Sequence, residues 1–413
     1  MEEHIIGSSL ALVIDMHIYD TRSLFHRGSR TENEANFILA GFGTPSKATV
    51  VDPEPRYLAI QRSLLNHIFL NAPRIHHLSL VFRHTDLPKF AFKFASTVQE
   101  RLESLRHLAL FTWGEDPVRA LEAFKNSPSL HSTTLSNVDS GNQLPAPRSR
   151  NLETLHITDL ELLEVDIDHI AILLPKFPYL RSAKLTLWTM SSTLSDEPPK
   201  LSLTHVSDLS LGLGHLPSLE IIAALLHSLD IPSLTALHLH AYNEPTLHLQ
   251  SQFPVFVYAV SALVRRCPNI ESLRLDRIPL KDDVLLSMLD DLPGLGVLDV
   301  TNMITSLSEG RSVTNHFLKE LGSREVVPKL KDLRVLPYAT PLEKGVVEGM
   351  LSSRRNRAPG FCLQSAYLLV ERSAAPMLDL PLLREMQRGG LAVRVATKRK
   401  DKEVEVLGYK IGE

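Results

Sequence analysis

Apolar residues along the chain fall into a recurring phrase. A proline and one further residue lead into Leu-x-x-Leu-x-Leu, with occasional aliphatic replacements. Pro73 precedes Ile75, Leu78 and Leu80; Pro128 precedes Leu130 and Leu135; Pro178 precedes Leu180, Leu185 and Leu187. Pro232 leads into Leu234, Leu237 and Leu239, and Pro268 into Ile270, Leu273 and Leu275. Pro293 then precedes Leu295, Leu298 and Val300, and Pro328 precedes Leu330, Leu333 and Val335. Weaker copies fill the gaps: Leu105, Leu108, Leu110; Leu152, Leu155, Ile157; Val206, Leu209, Leu211; Leu363, Ala366, Leu368. Successive starts lie roughly 22 to 36 residues apart, at and beyond the upper edge of the ~20–29 residues of a leucine-rich repeat.

Each copy ends in period-2 alternation, so its last two apolar side chains share one face of a short strand. Between copies the period is helical. Ile170, Leu173, Leu174 and Phe177 recur at three- and four-residue steps, as do Leu219, Ile222, Leu225, Leu226 and Leu229. Val284, Leu285, Met288, Leu289 and Leu292, and also Leu58, Leu65, Ile68 and Phe69, repeat it. The proline ends each helix, because it has no N–H to donate and biases its predecessor away from helical backbone. A strand reached through a helical crossover lies parallel to the one before it. Strands sit about 4.8 Å apart and packed helices 8–10 Å, so a stack of such units bends, strands inside. The expected fold is α/β, an irregular leucine-rich-repeat solenoid or horseshoe of about ten to eleven units, with a concave parallel sheet and convex helices.

Three segments are expected. Residues 1–56 form a non-repeat segment, a strand near Leu10–Ile14 and a long polar loop; residues 57–370 form the solenoid. Residues 371–413 form a cap, a helix from Pro381 to Met386 and a hairpin in which Leu391, Val393 and Val395 run out and Val404, Val406 and Tyr409 return.

Composition narrows the class without naming a partner. An apolar share of 44% and a charged share of 22% are those of a globular protein, and a net charge of −3 gives no field that favours nucleic acid or an anionic membrane. Two cysteines, Cys267 and Cys362, are too few for a disulfide framework, which points to a reducing compartment, cytoplasm or nucleus. The acidic Met1-Glu2-Glu3 opening does not resemble a secretory leader, and Phe253–Val264 is shorter than the ~20 residues of a membrane span.

No catalytic constellation stands out. Gly41-Phe42-Gly43-Thr44-Pro45-Ser46-Lys47 lacks the Gly-Lys-Ser/Thr ending of a phosphate loop, and Pro45 interrupts its row of N–H donors. His77, His107, His156, His238 and His240 are scattered across repeats without metal-ligand spacing. The clusters Arg354-Arg355 and Lys398-Arg399-Lys400 are too short for a nucleic-acid footprint. No enzyme activity, cofactor or metal is expected.

The Leu-x-x-Leu-x-Leu strands resemble the leucine-rich-repeat superfamily over roughly Tyr57 to Val370. The Pro-x-Leu lead-ins, the irregular length and the phrase Leu65-Asn66-His67-Ile68-Phe69-Leu70-Asn71-Ala72-Pro73 look like the repeat portion of fungal F-box/leucine-rich-repeat proteins. That resemblance implies a domain that holds the substrate of a cullin-RING ubiquitin ligase, with an F-box that docks on a Skp-type adaptor. No F-box motif is found ahead of residue 57, so the likeness covers the repeats alone and leaves the adaptor unsupported. A second departure is the ninth repeat position, where the superfamily carries Asn or Cys that hydrogen-bonds the turn. Here it holds Val138, Leu160, Ile278 and Met303, so these turns satisfy their backbone in another way.

If the chain binds a protein, the strand residues that point away from the core are where it does so. The polar subset His156, Lys184, His238, His240, Arg274, Asp276, Asp299 and Arg334 forms the candidate binding face. The expected function is a non-catalytic protein-interaction module, either a ligase substrate-recognition element or a stand-alone repeat scaffold.

Overall fold

A computed structural model describes residues 12–18, 75–83, 102–113, 121, 124, 127–136, 159–165, 170–171, 173–187, 200–213, 219–241, 252–278, 280–301, 313–323, 325–336, 342–356, 363–370, 378–399 and 402–407. They fall in two compact units, one ending at Ser136 and the other beginning at Asp159.

The first unit holds four strands, β1 (Leu12–Ile18), β2 (Ile75–Arg83), β3 (His107–Trp113) and β4 (Ser132–Ser136). Each lies parallel to the next. Leu78 stands beside Leu108, and Leu110 beside Leu135, all buried, so the repeated leucines do form one core ladder. Thr133 takes the place of a leucine beside Leu108, and among the described residues its buried hydroxyl has no hydrogen-bond partner. The expected helix around Leu58–Phe69 lies outside the described residues.

The second unit is built on β5 (Asp159–Val165), β6 (Ser182–Leu187), β8 (Asp208–Leu213), β10 (Ala236–Ala241), β11 (Ser272–Asp276), β12 (Val297–Thr301), β13 (Asp332–Leu336), β14 (Ser365–Val370) and β15 (Ala392–Arg399). These nine are parallel neighbours in that order, and β16 (Lys402–Leu407) closes the edge antiparallel to β15. A separate two-strand ladder pairs β7 (Leu201–Ser202) with β9 (Leu229–Asp230). Crossovers carry a 3-10 turn at Leu174–Lys176 and helices α1 (Leu219–Ser228), α2 (Phe253–Arg266), α3 (Asp282–Asp290), α4 (Asn315–Ser323), α5 (Val346–Arg355) and α6 (Leu380–Arg388). Each helix packs on the next. Leu185, Leu211, Leu239, Leu275, Val300, Val335, Leu368 and Val395 stand in register on eight strands, every one buried. Burial of each leucine contributes about 1.5–3 kcal/mol. Parallel repeats with this register make the unit an α/β leucine-rich-repeat solenoid.

The proline lead-in has a geometric role. Among the described residues, the residue before the lead-in proline accepts a hydrogen bond from the N–H three residues on: Leu130 to Ser127, Leu180 to Phe177, Leu234 to Ile231, Ile270 to Cys267, Leu295 to Leu292 and Leu330 to Val327, at 3.1–3.3 Å. Proline thus occupies the second place of a tight turn, where its fixed φ is favourable. The turn delivers the first leucine of the repeat into the core.

The start of each strand is secured by main chain. The carbonyl of Arg181 accepts from the N–H groups of both Ser207 and Asp208, at 2.8 and 3.0 Å. Ser207 does the same for Thr235 and Ala236, Thr235 for Glu271 and Ser272, Glu271 for Gly296 and Val297, Gly296 for Lys331 and Asp332, and Lys331 for Gln364 and Ser365. On the helical side, arginines tie successive repeats together. Arg266 donates to the carbonyls of Leu226 and Leu229. The buried Arg354 donates to Leu321, Val326 and Val327 at 2.6, 2.6 and 3.0 Å.

One repeat departs from the expected register. The copy Leu152, Leu155, Ile157 predicts a strand ending near Ile157, whereas the strand that pairs with β6 is Asp159–Val165, with Leu160 and Leu162 buried. Leu160 is therefore a core strand residue and not the ninth position of its repeat. Both segments alternate apolar and polar residues, and alternation alone does not choose between them.

Candidate functional site

Strand alternation sets which side chains leave the core. On β11, Leu273 and Leu275 are buried while Arg274 between them is exposed. The parallel register carries that position across the sheet. Glu161, Lys184, Ser210, His238, Arg274, Asp299, Arg334, Tyr367 and Arg394 form one row on the face opposite the helices. His240, Asp276 and Thr301 belong to the adjacent row.

Of the expected residues, His238, His240, Arg274, Asp276, Asp299 and Arg334 come together on the four neighbouring strands β10 to β13. Lys184 stands two strands away on β6, ion-paired with Glu161 at 2.5 Å. His156 lies outside the described residues. The row position it was expected to fill, beside Lys184, is held by Glu161.

The electrostatics of the cluster follow from partial burial. His240 Nδ1 bonds to the Asp276 carboxylate, whose other oxygen is 3.7 Å from Arg277. Burial pushes the Asp276 carboxyl up, yet the hydrogen bond and charge of His240, with Arg277, outweigh it and hold the group below 3.8. Asp299 has the opposite balance. Burial dominates and raises its carboxyl, because Arg334 stands 3.9 Å off and half exposed, and Arg274 adds only a partial offset. His238 shares a 3.4 Å hydrogen bond with Ser210, and its ring lies 6.1 Å from that of His240. Burial first, then His240 and Arg274, lower its pKa below 6.5, which favours the neutral ring at pH 7.

Besides Glu161, two further members of the row escape sequence reasoning. Tyr367 lies between Arg334, 4.9 Å from its ring centre, and Arg394, 5.4 Å away. The Leu363-x-x-Ala366-x-Leu368 spacing was enough to identify Tyr367 as a face position. Arg394 was masked by the reading of Leu391–Val395 as one arm of a terminal hairpin, since β15 is that arm and also the next parallel strand. The adjacent row becomes apolar at this end, where Leu336, Leu369 and Ala396 are buried against each other with Tyr367 beside them.

Three other histidines form a group in the first unit. His77 and His107 rings are 5.9 Å apart, and the ring of His131 meets that of His107 edge-on at 5.1 Å. Among the described residues no three His, Cys, Asp or Glu side chains gather as a metal ion would need. No helix among them is long and apolar enough to cross a membrane.

No family model matches the chain, and no curated protein matches it. Among solved structures 64 chains match. One is the crystal structure of the mouse RP105/MD-1 complex, with 14% identity over 77% of this chain and 63% of that one, at a TM-score of 0.30. This chain thus spans less than two thirds of that relative's length. The fold rests on internal evidence instead: turn, strand and crossover helix recur in one parallel register, which is the architecture of a leucine-rich-repeat solenoid.

Proposed function

We propose that the face carrying Arg274, Asp276, Asp299 and Arg334 binds a polypeptide, and that the chain is a non-catalytic protein-interaction module. The observation behind this reading is the clustering of six polar side chains from four consecutive repeats on one sheet face. Their leucine neighbours are committed to the core, so these positions carry no packing duty. Half-exposed ion pairs such as Asp299–Arg334 contribute ~0–1 kcal/mol to folding, so fold stability does not require them.

The test is affinity purification of the full chain beside a variant with Arg274→Asp and Arg334→Asp, read by mass spectrometry. A partner recovered by the native chain is lost in the variant, which still folds and melts cooperatively, at a lower temperature because the new carboxylates flank Asp299 on both neighbouring strands. A variant that unfolds instead places those side chains inside, against the register. The resemblance to F-box proteins adds a finer reading, substrate recognition for a cullin-RING ubiquitin ligase. Recovery of a Skp-type adaptor with a cullin supports it; a partner recovered without them leaves a repeat scaffold.

A further inference from the structure

Five consecutive strands, β11 to β15, place Arg274, Asp299, Arg334, Tyr367 and Arg394 side by side at one register position. The three guanidiniums therefore fall on alternate strands. Adjacent strands are about 4.8 Å apart, so the cations repeat every ~9.6 Å across the sheet. From the geometry we infer that this row is a ruler for an acidic segment in polyproline II conformation, its carboxylates spaced three residues apart. The inference rests on the open-face reading above and specifies its ligand.

A polyproline II segment rises about 3.1 Å per residue with three residues per turn, so every third side chain projects from one edge at ~9.3 Å intervals. An extended β-strand presents same-face side chains every ~6.7 Å, out of step with the arginines. The charge count agrees. The row holds three arginines and one carboxylate, Asp299, which itself stands 3.9 Å from Arg334. Neighbouring carboxylates are engaged: Asp276 by His240 and Arg277, and Asp332 by the Ser365 hydroxyl, which donates at 2.6 Å.

The cations are also held in place. The Tyr367 ring rests on the buried Leu336, Leu369 and Ala396, and both Arg334 and Arg394 lie over it. A guanidinium stacked on an anchored ring has already lost much of its rotamer freedom, which lowers the cost of fixing it on a ligand. Arginine suits the task because its planar fork takes a carboxylate in two hydrogen bonds.

The experiment uses the full chain and two fluorescein-labelled synthetic peptides with the same number of aspartates in a proline-rich background. One carries aspartate at every third position, the other at every second. Fluorescence anisotropy is expected to show at least tenfold tighter binding of the first. Arg334→Gln with Arg394→Gln, and separately Arg334→Glu with Arg394→Glu, are each expected to lower that affinity at least tenfold with an unchanged melting curve. Equal affinity for both peptides, or undiminished binding by folded double variants, overturns the proposal. If neither peptide binds while Arg274→Asp with Arg334→Asp still releases a captured protein, the ruler falls and the open-face reading stands. If that variant also releases nothing, both fall.

Discussion

Two residues show how strongly burial decides the outcome at a single side chain. Arg354 is 1% exposed and donates to three main-chain carbonyls. One of them belongs to Val327, a β-branched residue at φ 42° just before Pro328. Such backbone is strained for valine, and the guanidinium helps to hold it. Arg354→Met keeps the length and removes the donors to Leu321, Val326 and Val327, of which Val327 still accepts from the Leu330 N–H. Urea denaturation is expected to show a loss of about 3 kcal/mol; an unshifted midpoint would mean that water already serves those carbonyls. His238 makes a pH-dependent contribution. Its folded pKa lies below 6.5, so the unfolded chain takes up the proton more readily. Its share of stability is complete above pH 6.5 and is lost as pH falls through 6.5 toward the folded value. His238→Gln is therefore expected to reduce the drop in melting temperature between pH 7.5 and 5.5, as read by circular dichroism.

Among the elements, close approach matters more than propensity. In α4, a β-carbon added at Gly322 would stand 3.0 Å from the Met350 Cα of α5, and Ser353 of α5 donates to the Gly322 carbonyl at 2.6 Å. In an open helix Gly→Ala stabilises by about 1 kcal/mol. Here Gly322→Ala is expected to destabilise by ~1–2 kcal/mol, because the backbone of α5 has to move. A gain measured by chemical denaturation would show that the two helices slide apart freely. The alternation of Leu273, Arg274 and Leu275 made β11 and its outward face legible, and the same logic served β8, β10, β12 and β13. It failed at β5, where two alternating stretches compete and only pairing with β6 selects Asp159–Val165. It also missed Arg394, whose place depends on β15 continuing the parallel sheet, a long-range fact that no local period encodes. The engagement of Asp276 by His240, and the weaker hold on Asp299, come from distances between repeats and have no sequence signature.

Across the whole molecule the net charge is −3, yet the β11–β15 stretch of one row carries three arginines against one carboxylate. Global charge therefore says little about what this face attracts. The repeat itself was legible because apolar period and proline lead-in agree in most copies. The turns were not, since their hydrogen bonds run between main-chain atoms. Glu271 illustrates this: its N–H donates to Thr235 at 2.7 Å, and its carbonyl accepts from Gly296 and Val297. Glu271→Ala is expected to change stability by less than ~0.5 kcal/mol. Glu271→Pro removes the donor and is expected to cost ~3 kcal/mol or more in thermal or urea unfolding.

That main-chain ladder bears on how such a chain can change over generations. The position it uses is filled by Arg181, Ser207, Thr235, Glu271, Gly296, Lys331 and Gln364, which include basic, acidic, hydroxyl and amide side chains and a glycine. A turn secured by an asparagine side chain ties its repeat to that residue. A turn secured by peptide groups accepts almost any replacement except proline. The scaffold can thus be rewritten codon by codon while its strands keep their register, and the outward positions are free to follow whatever the chain binds.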